Sequence, residues 1–380
     1  LEIGPMRFLR RHKAKKTILV ISDIHLGAGA YVNGTKNYLE DFHYDKEMVD
    51  FVHYYSSGDF EKREVELIIN GDLFDLLAVP FVEFFDDEFW SEDAALEKLK
   101  MIIAAHPEVM QAYQDFLNKK NKKIIFIVGN HDGELVLKKL QTYLLNQFSE
   151  ETRDNFVILS EGSGEYIPYK GILIKHGHEY EIAHQFDLKH SIVSDEEGRR
   201  YFIPPWGSYY VTRVVNKFKE ERGHINAVRP IKKAMINGLI YDTIFTIRFL
   251  LANAFYFIMV RFIYFFKQGN SLAKIFEHSA GELELFGDYE ELTRDVFDRG
   301  EGIHCLIVGH THEPIHRTYS DGNSFLNTGT WTDMYHLDWG KKTQGPHLTY
   351  AQLNIYENEE RPEIALRAWE GVNELPFTEL

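Results

Sequence analysis

Short runs of β-branched and aliphatic residues recur along the chain, and each stops at a turn carrying polar, metal-competent side chains. Thr17 to Ser22 leads into Asp23, and Val65 to Asn70 leads into Gly71 and Asp72. Lys123 to Val128 leads into Gly129, Asn130 and His131; Gly171 to Lys175 leads into His176; His304 to Val308 leads into Gly309, His310 and His312. Strands that end this way deliver their side chains to one edge of a sheet, so five strand ends are expected to converge on one site. Amphipathic helical stretches lie between the early strands, around Tyr44 to Tyr55, Glu92 to Ala105 and Pro107 to Lys119, so the first half alternates β and α. Toward the C-terminus strand follows strand: Ser324 to Thr328, Leu348 to Tyr356 and Glu363 to Trp369. A two-layer β core with helices on its outer faces accommodates both halves. There is no internal repeat and no low-complexity tract.

Residues Glu181 to Gly300 break the rhythm. The segment reads as helical by period and is rich in Phe and Tyr. From Glu181 to Gly269 it holds 13 Lys and Arg against 8 Asp and Glu, a local excess of positive charge in a chain of net charge -16. It is expected to be a helical insertion over the active site. The predicted organisation is a tag remnant and basic segment at 1–16, a sandwich at 17–180 and 301–380, and an insertion or lid at 181–300. The most hydrophobic stretch, Phe249 to Val260, is bracketed by Arg248 and Arg261. A transmembrane helix needs roughly 20 apolar residues, so this run is expected to be too short to span and suited to lying on a membrane or lining a pocket.

Net charge and cysteine content narrow the function classes. A chain of 380 residues with 44% hydrophobic content can bury one large core with an insertion. The negative net charge argues against a general nucleic-acid binder, which neutralises phosphates with excess Lys and Arg. The single cysteine, Cys305, excludes an internal disulfide; inside the run Cys-Leu-Ile-Val it reads as a buried hydrophobe. That fits a reducing, cytoplasmic compartment. Leu1 to Pro5, ahead of Met6, reads as a tag remnant, and the basic segment Arg7 to Lys16 lacks the apolar core of a signal peptide.

The chemistry lies in five blocks: Asp23-Ile24-His25, Gly71-Asp72-Leu73-Phe74-Asp75, Gly129-Asn130-His131-Asp132, His176-Gly177-His178 and Gly309-His310-Thr311-His312. Together they supply carboxylate, imidazole and amide oxygen, a donor set suited to Mn²⁺, Fe or Zn²⁺. A carboxylate has two oxygens and can bridge two ions. Each block alone is weak; their order and their placement at strand ends set them apart from chance. Asp132 reads as a turn brace, and Asn327-Thr328-Gly329-Thr330-Trp331 as a loop behind the site. His43, His53, His106, His224, His278, His316, His336 and His347 match no ligand spacing.

These blocks make the sequence resemble the calcineurin-like metallophosphoesterase family, over roughly residues 17 to 180 and 300 to 332. The resemblance implies a four-layer αββα sandwich binding two divalent metals, manganese foremost with iron or zinc as alternatives. Carried over by motif, Asp23, His25, Asp72 and His312 would hold the first ion. Asp72, Asn130, His176 and His310 would hold the second, with Asp72 as the bridge. It further implies that His131 protonates the leaving oxygen or contacts the phosphate, with Asp75 orienting it, as a catalytic pair. His178 reads as support for His176, with a substrate contact or alternative ligand as the other roles.

One branch of the family, the UDP-2,3-diacylglucosamine hydrolases, carries a helical lid in a similar place, although those enzymes have Arg where this chain has His131. The apolar side chains between Tyr241 and Lys267 are either a hairpin packed on itself or a lid for acyl chains. In the second case Arg199, Arg200, Arg213, Lys217, Arg229, Lys232 and Lys233 would meet anionic groups. The leading expectation is therefore a metal-dependent phosphoesterase acting on a lipid-linked or nucleotide-linked substrate, cytoplasmic and peripheral at the membrane, without a stable nucleic-acid partner. The alternatives are a soluble phosphodiesterase or protein phosphatase that uses the insertion as a homodimer surface, and a scaffold of the same fold without catalysis.

Overall fold

Runs such as Lys16–Ile21 and Glu64–Asn70 are buried at nearly every position, which suits parallel strands covered on both sides. In the computed structural model, which describes residues 13–79, 87–181, 183–268, 295–298, 302–337, 345–346, 348–357 and 361–371, they lie side by side in a six-stranded sheet. The order across that sheet is Glu363–Ala368, Thr349–Ile355, Lys16–Ile21, Glu64–Asn70, Lys122–Ile127 and Phe156–Leu159. The last four run parallel, and the two C-terminal strands pair antiparallel. A second, five-stranded sheet has the order Ile315–Thr318, Ser324–Asn327, Cys305–Val308, Ile172–Ile174 and Tyr166–Tyr169. The tag remnant, residues 269–294 of the insertion, His278 and His347 lie outside the described residues.

Alternation along the strands sets the layers. Ile18, Val20, Ile68, Ile125 and Ile127 of the first sheet meet Ile172, Ile174, Cys305, Ile307 and Leu326 of the second in one apolar layer. Burial there pushes the Cys305 thiol up to about 12, so it is inert filler and not a nucleophile. Leu19, Ile21, Leu67 and Ile69 face the other way, onto Phe51, Leu99, Tyr113 and Phe116 of the helices Asp45–Ser56, Glu92–Ala105 and Pro107–Leu117. Ser91 caps the second of these by accepting from the Ala94 amide, and Pro107 opens the third. On the outer face of the second sheet, Leu306, Val308 and Phe325 pack with Val296 of the single turn Asp295–Asp298. The architecture is the αββα sandwich.

The insertion, expected to be helical, carries short strands beside its helices. It opens with a two-stranded hairpin, Ile192–Ser194 paired with Arg200–Phe202. Asp195 turns that hairpin by accepting from the amides of Glu197 and Arg199, with Gly198 at φ +81°. Phe202 of this hairpin enters the main core. Helical turns follow from Trp206 to Lys219, interrupted by a π segment at Val211–Val215. Then Val228–Arg229 pairs with Asp333–His336, and the helices Ile231–Tyr241 and Thr243–Gln268 follow. The long helix runs through the positions of both arginines, and Arg248 ion-pairs with Glu221 at 2.9 Å. The apolar run Phe249 to Val260 is thus one part of a longer helix. By length and composition alone, Thr243–Val260, at mean hydropathy 1.7, qualifies to cross a membrane. Its buried face, Phe245, Phe249 and Tyr256, packs on Val214 and Phe218.

The insertion is tied to the sandwich by polar contacts as well. The Asn216 amide donates to the Leu77 carbonyl at 2.8 Å, and Lys219 donates to Leu39 O and Asp41. Under the site, Lys98 and Glu134 form an ion pair at 2.7 Å with neither side chain exposed. Removing one partner strands a charge in a dry environment. Lys98→Ala is therefore expected to cost about 3–5 kcal/mol of stability. The double variant Lys98→Met with Glu134→Leu should recover most of it, as read by urea denaturation.

Candidate metal centre

Asp23 and His25 follow Lys16–Ile21, Asp72 and Asp75 follow Glu64–Asn70, and Asn130 and His131 follow Lys122–Ile127, three neighbouring strands of the first sheet. His176 follows Ile172–Ile174, and His310 and His312 follow Cys305–Val308, neighbours in the second. The five loops are stitched edge to edge: Ile24 N donates to Asp72 O at 2.9 Å, and Gly309 N to His176 O at 2.8 Å. Five of the eight non-glycine residues with positive φ among the described residues are Asp23, His25, Asp72, His310 and His312. Such strain persists only where the surroundings over-determine it, and it clusters at functional sites. Two glycines make the close approach possible. A Cβ on Gly71, at φ +82°, would lie 2.1 Å from His176 Nδ1, and one on Gly129 would lie 2.2 Å from Asp72 Oδ1.

The side chains form contiguous groups able to hold cations. Asp23, His25 and His312 make one; Asp72 joins His25 and His131 in a second and His176 and His310 in a third. Asp72 thus stands between the two sides, with Oδ2 at 3.3 Å from His176 Nε2 and 3.9 Å from His25 Nε2. Asn130 Oδ1 lies 3.2 Å from His176 Nε2. His312 Nε2 lies 3.4 Å from Asp23 Oδ1 and 3.1 Å from His25 Nε2. His131 Nδ1 meets Asp75 Oδ1 at 2.9 Å, and the other oxygen of Asp75 is 3.4 Å from His25 Nδ1.

His176 Nδ1 lies 2.7 Å from the Asn70 carbonyl, which can only accept, so Nδ1 carries the proton. The Nε2 lone pair of the neutral ring then faces two oxygens, those of Asp72 and Asn130, in a fully buried position. Acceptors meet acceptors unless a positive charge sits among them. Protonation is one solution. Burial opposes it, but Asp72 and then Asp23 outweigh burial and push His176 up to about 10. A divalent ion is the other, and the carboxylate, imidazole and amide donors present fit one. Burial likewise opposes ionisation of Asp23, yet His312 and His176 hold its carboxyl down to about 2. His131 is opposed by burial and pushed up to about 9 by Asp75 and Asp72.

The surrounding residues brace this centre. Asp132 accepts from the amides of Gly129 at 2.6 Å and Leu73 at 2.8 Å. Thr330 Oγ1 donates to Asp23 O at 2.6 Å, and Asn327 Nδ2 to Gly309 O at 2.7 Å, so the 327–331 loop holds the backbone behind the site. His178 belongs to none of the cation-holding groups found among the described residues; it is buried and stacks on Phe186 with ring centroids 5.0 Å apart. Two residues escaped the sequence reading. Glu181 and His184, the first residues of the insertion, form a further group with His310. A Glu and a His three apart directly after the His176 block were the available signal.

The profile of the calcineurin-like phosphoesterases matches residues 16–225, more than half of the chain. The chain belongs to the calcineurin-like phosphoesterase family. As a calcineurin-like phosphoesterase it is a metal-dependent phosphohydrolase whose cofactors are divalent metal ions. Comparison with curated proteins gives no match. Among solved structures, it is similar to a dimetal phosphatase from Danio rerio, at 13% identity over 94% of this chain and 100% of that one, with a TM-score of 0.36. It is also similar to a predicted phosphoesterase from Streptococcus pneumoniae TIGR4 (11% identity, 93% and 90% coverage, TM-score 0.26). A third is the zinc complex of Vps29 from Entamoeba histolytica (11% identity, 93% and 99% coverage, TM-score 0.29).

Proposed function

We propose that this phosphoesterase hydrolyses a phosphate ester or pyrophosphate bond with two divalent ions, foremost manganese. Asp23, His25, Asp72 and His312 would hold the first ion, and Asp72, Asn130, His176 and His310 would hold the second. The buried convergence of lone pairs around His176 Nε2 is the observation that supports this most strongly. When bound, such a pair lowers the pKa of water to supply a hydroxide near neutral pH and neutralises phosphate oxygens. The chain's own groups have separate tasks. Asp72 offers negative charge to both sides at once. Asp75 holds His131 through Nδ1, which leaves the opposite ring nitrogen free to give a proton to the leaving oxygen. The same carboxylate faces His25 Nδ1 and so turns His25 Nε2 toward Asp72 and His312.

For the substrate, the reading we favour is a lipid-linked pyrophosphate or ester met at a membrane surface from the cytoplasmic side, with the insertion as a lid. The support lies in the helices Ile231–Tyr241 and Thr243–Gln268, whose outer face carries Ile240, Tyr241, Leu251 and Ile258 in exposed positions. Ile244 is 77% and Phe255 70% exposed. The excess of basic residues in the same segment suits an anionic surface. Arg229, in the strand beside Asp333–His336, acts electrostatically on His312, which places a cation near the centre for a phosphate group.

Vesicle sedimentation with anionic phospholipid, paired with a manganese-dependent assay on a soluble ester, tests this reading. The wild type should bind the vesicles. Phe255→Asp should weaken that binding by about tenfold or more, from the apolar burial lost, while turnover of the soluble ester is unchanged. Absence of vesicle binding, together with a dimer that Phe255→Asp dissociates, would replace the lid with a subunit interface. No hydrolysis of any ester would favour a scaffold.

A further inference from the structure

Beyond the ligand set, the insertion reaches into the metal centre at one point. His310 is held twice: its amide donates to Asp23 Oδ2 at 2.9 Å, and its ring Nε2 lies 3.0 Å from Glu181 Oε2. A carboxylate oxygen can only accept, so in this contact Glu181 is the acceptor and the imidazole the donor. The proton in this contact therefore sits on His310 Nε2, and Nδ1 is the nitrogen left for the group with Asp72 and His176. Metal-bound histidines commonly donate their other ring N–H to a carboxylate, which fixes the tautomer and ring orientation and raises ligand basicity. Glu181 is itself held in a tight turn. The amides of His184 and Gln185 donate to its carbonyl at 2.9 and 3.1 Å, and Gly207 N donates to Ala183 O at 2.8 Å, which pins the turn to the helix Trp206–Tyr210. His184 Nε2 lies 3.6 Å from the Glu181 carboxylate, and its Nδ1 lies 3.5 Å from Asn130 Nδ2, so the same turn also touches the second position's amide ligand.

We propose that Glu181 is a positioning residue for His310, through which the insertion sets the affinity of the second metal position. The proposal rests on the reading of His310 as a ligand. It makes the insertion part of the metal centre as well as a cover for it, so a change in the insertion's first turn is felt at one ion and not at the other.

Manganese binding to the full chain, by equilibrium dialysis with elemental analysis, and electron paramagnetic resonance of the loaded protein test it together. The wild type should bind two ions and show the signal of a coupled pair. Glu181→Ala should keep one tight ion, bind the second 10–100-fold more weakly, and show an uncoupled manganese signal at sub-saturating metal. Glu181→Gln, whose amide oxygen still accepts from Nε2–H, should fall between the two. Two ions bound to Glu181→Ala with wild-type affinity overturn the proposal. So does a third ion in the wild type that Glu181→Ala and His184→Ala both remove, because Glu181 would then be a ligand in its own right. If Glu181→Ala does not fold by thermal melting, the comparison is taken on Glu181→Gln, where wild-type affinity at both positions overturns the proposal. A wild type that binds no manganese sinks the underlying ligand reading instead.

Discussion

Replacing Asp72 by asparagine is expected to remove both metal ions and to lower kcat/KM by about a thousandfold or more. That magnitude follows from losing several kcal/mol of charge stabilisation at roughly 1.4 kcal/mol per decade. The amide would keep the shape of the side chain and one acceptor oxygen, so the change isolates charge. Asp72 is fully buried among His25, His131 and His176, and its ionised form is held well below the usual carboxylate range, against burial, chiefly by His176. Take the charge away and His25 and His176 lose the anion they share, while the groups on either side lose their common member. Its other oxygen also accepts from the His131 amide at 2.9 Å, so the turn that carries His131 is expected to loosen slightly. Metal content and turnover measured on one preparation check the result. Two retained ions with more than a small fraction of activity would count against Asp72 as the bridge.

His131→Ala is expected to act differently: both metals stay, and kcat falls by about 10²–10⁴-fold, the usual worth of a positioned general acid. The imidazole is protonated across neutral pH because Asp75 and Asp72 overcome burial and push it up to about 9. An acid of this kind is spent as pH rises through its pKa, so an alkaline limb in kcat should belong to His131. In Asp75→Asn the imidazolium loses the carboxylate 2.9 Å away, its pKa drops, and that limb should move to lower pH. The limb should vanish in His131→Ala. A substrate with an already acidic leaving group needs no proton and should be cleaved by the variant at close to the wild-type rate. Equal losses on good and poor leaving groups would assign His131 to phosphate contact instead.

Most of the sandwich was legible because its strands are buried on both faces and stop at glycine-containing turns, so period and boundary coincide. Thr17 to Ser22 and Leu348 to Tyr356, for example, fall within a residue of Lys16–Ile21 and Thr349–Ile355. The juxtaposition of Asp23, Asp72, His176 and His310 was also visible, since a sheet edge collects whatever follows its strands. What remained hidden was set by tertiary context. The hairpin at Ile192–Ser194 and Arg200–Phe202 is too short for its period to stand out from the aromatic helices around it. The role of Glu181 depends on a turn that closes through Ala183 and Gly207, a contact that spacing alone does not encode. Asp75 was expected to serve His131; that its second oxygen also faces His25 follows from how two loops meet.

The most direct test is the number of manganese ions per chain in the wild-type protein after dialysis against buffered metal, with crystals of that material measured at an absorption edge of the metal. Two ions are expected on either side of the Asp72 carboxylate, one beside His25 and His312 and the other beside His176 and Asn130. A single ion, or metal bound away from Asp72, would contradict it.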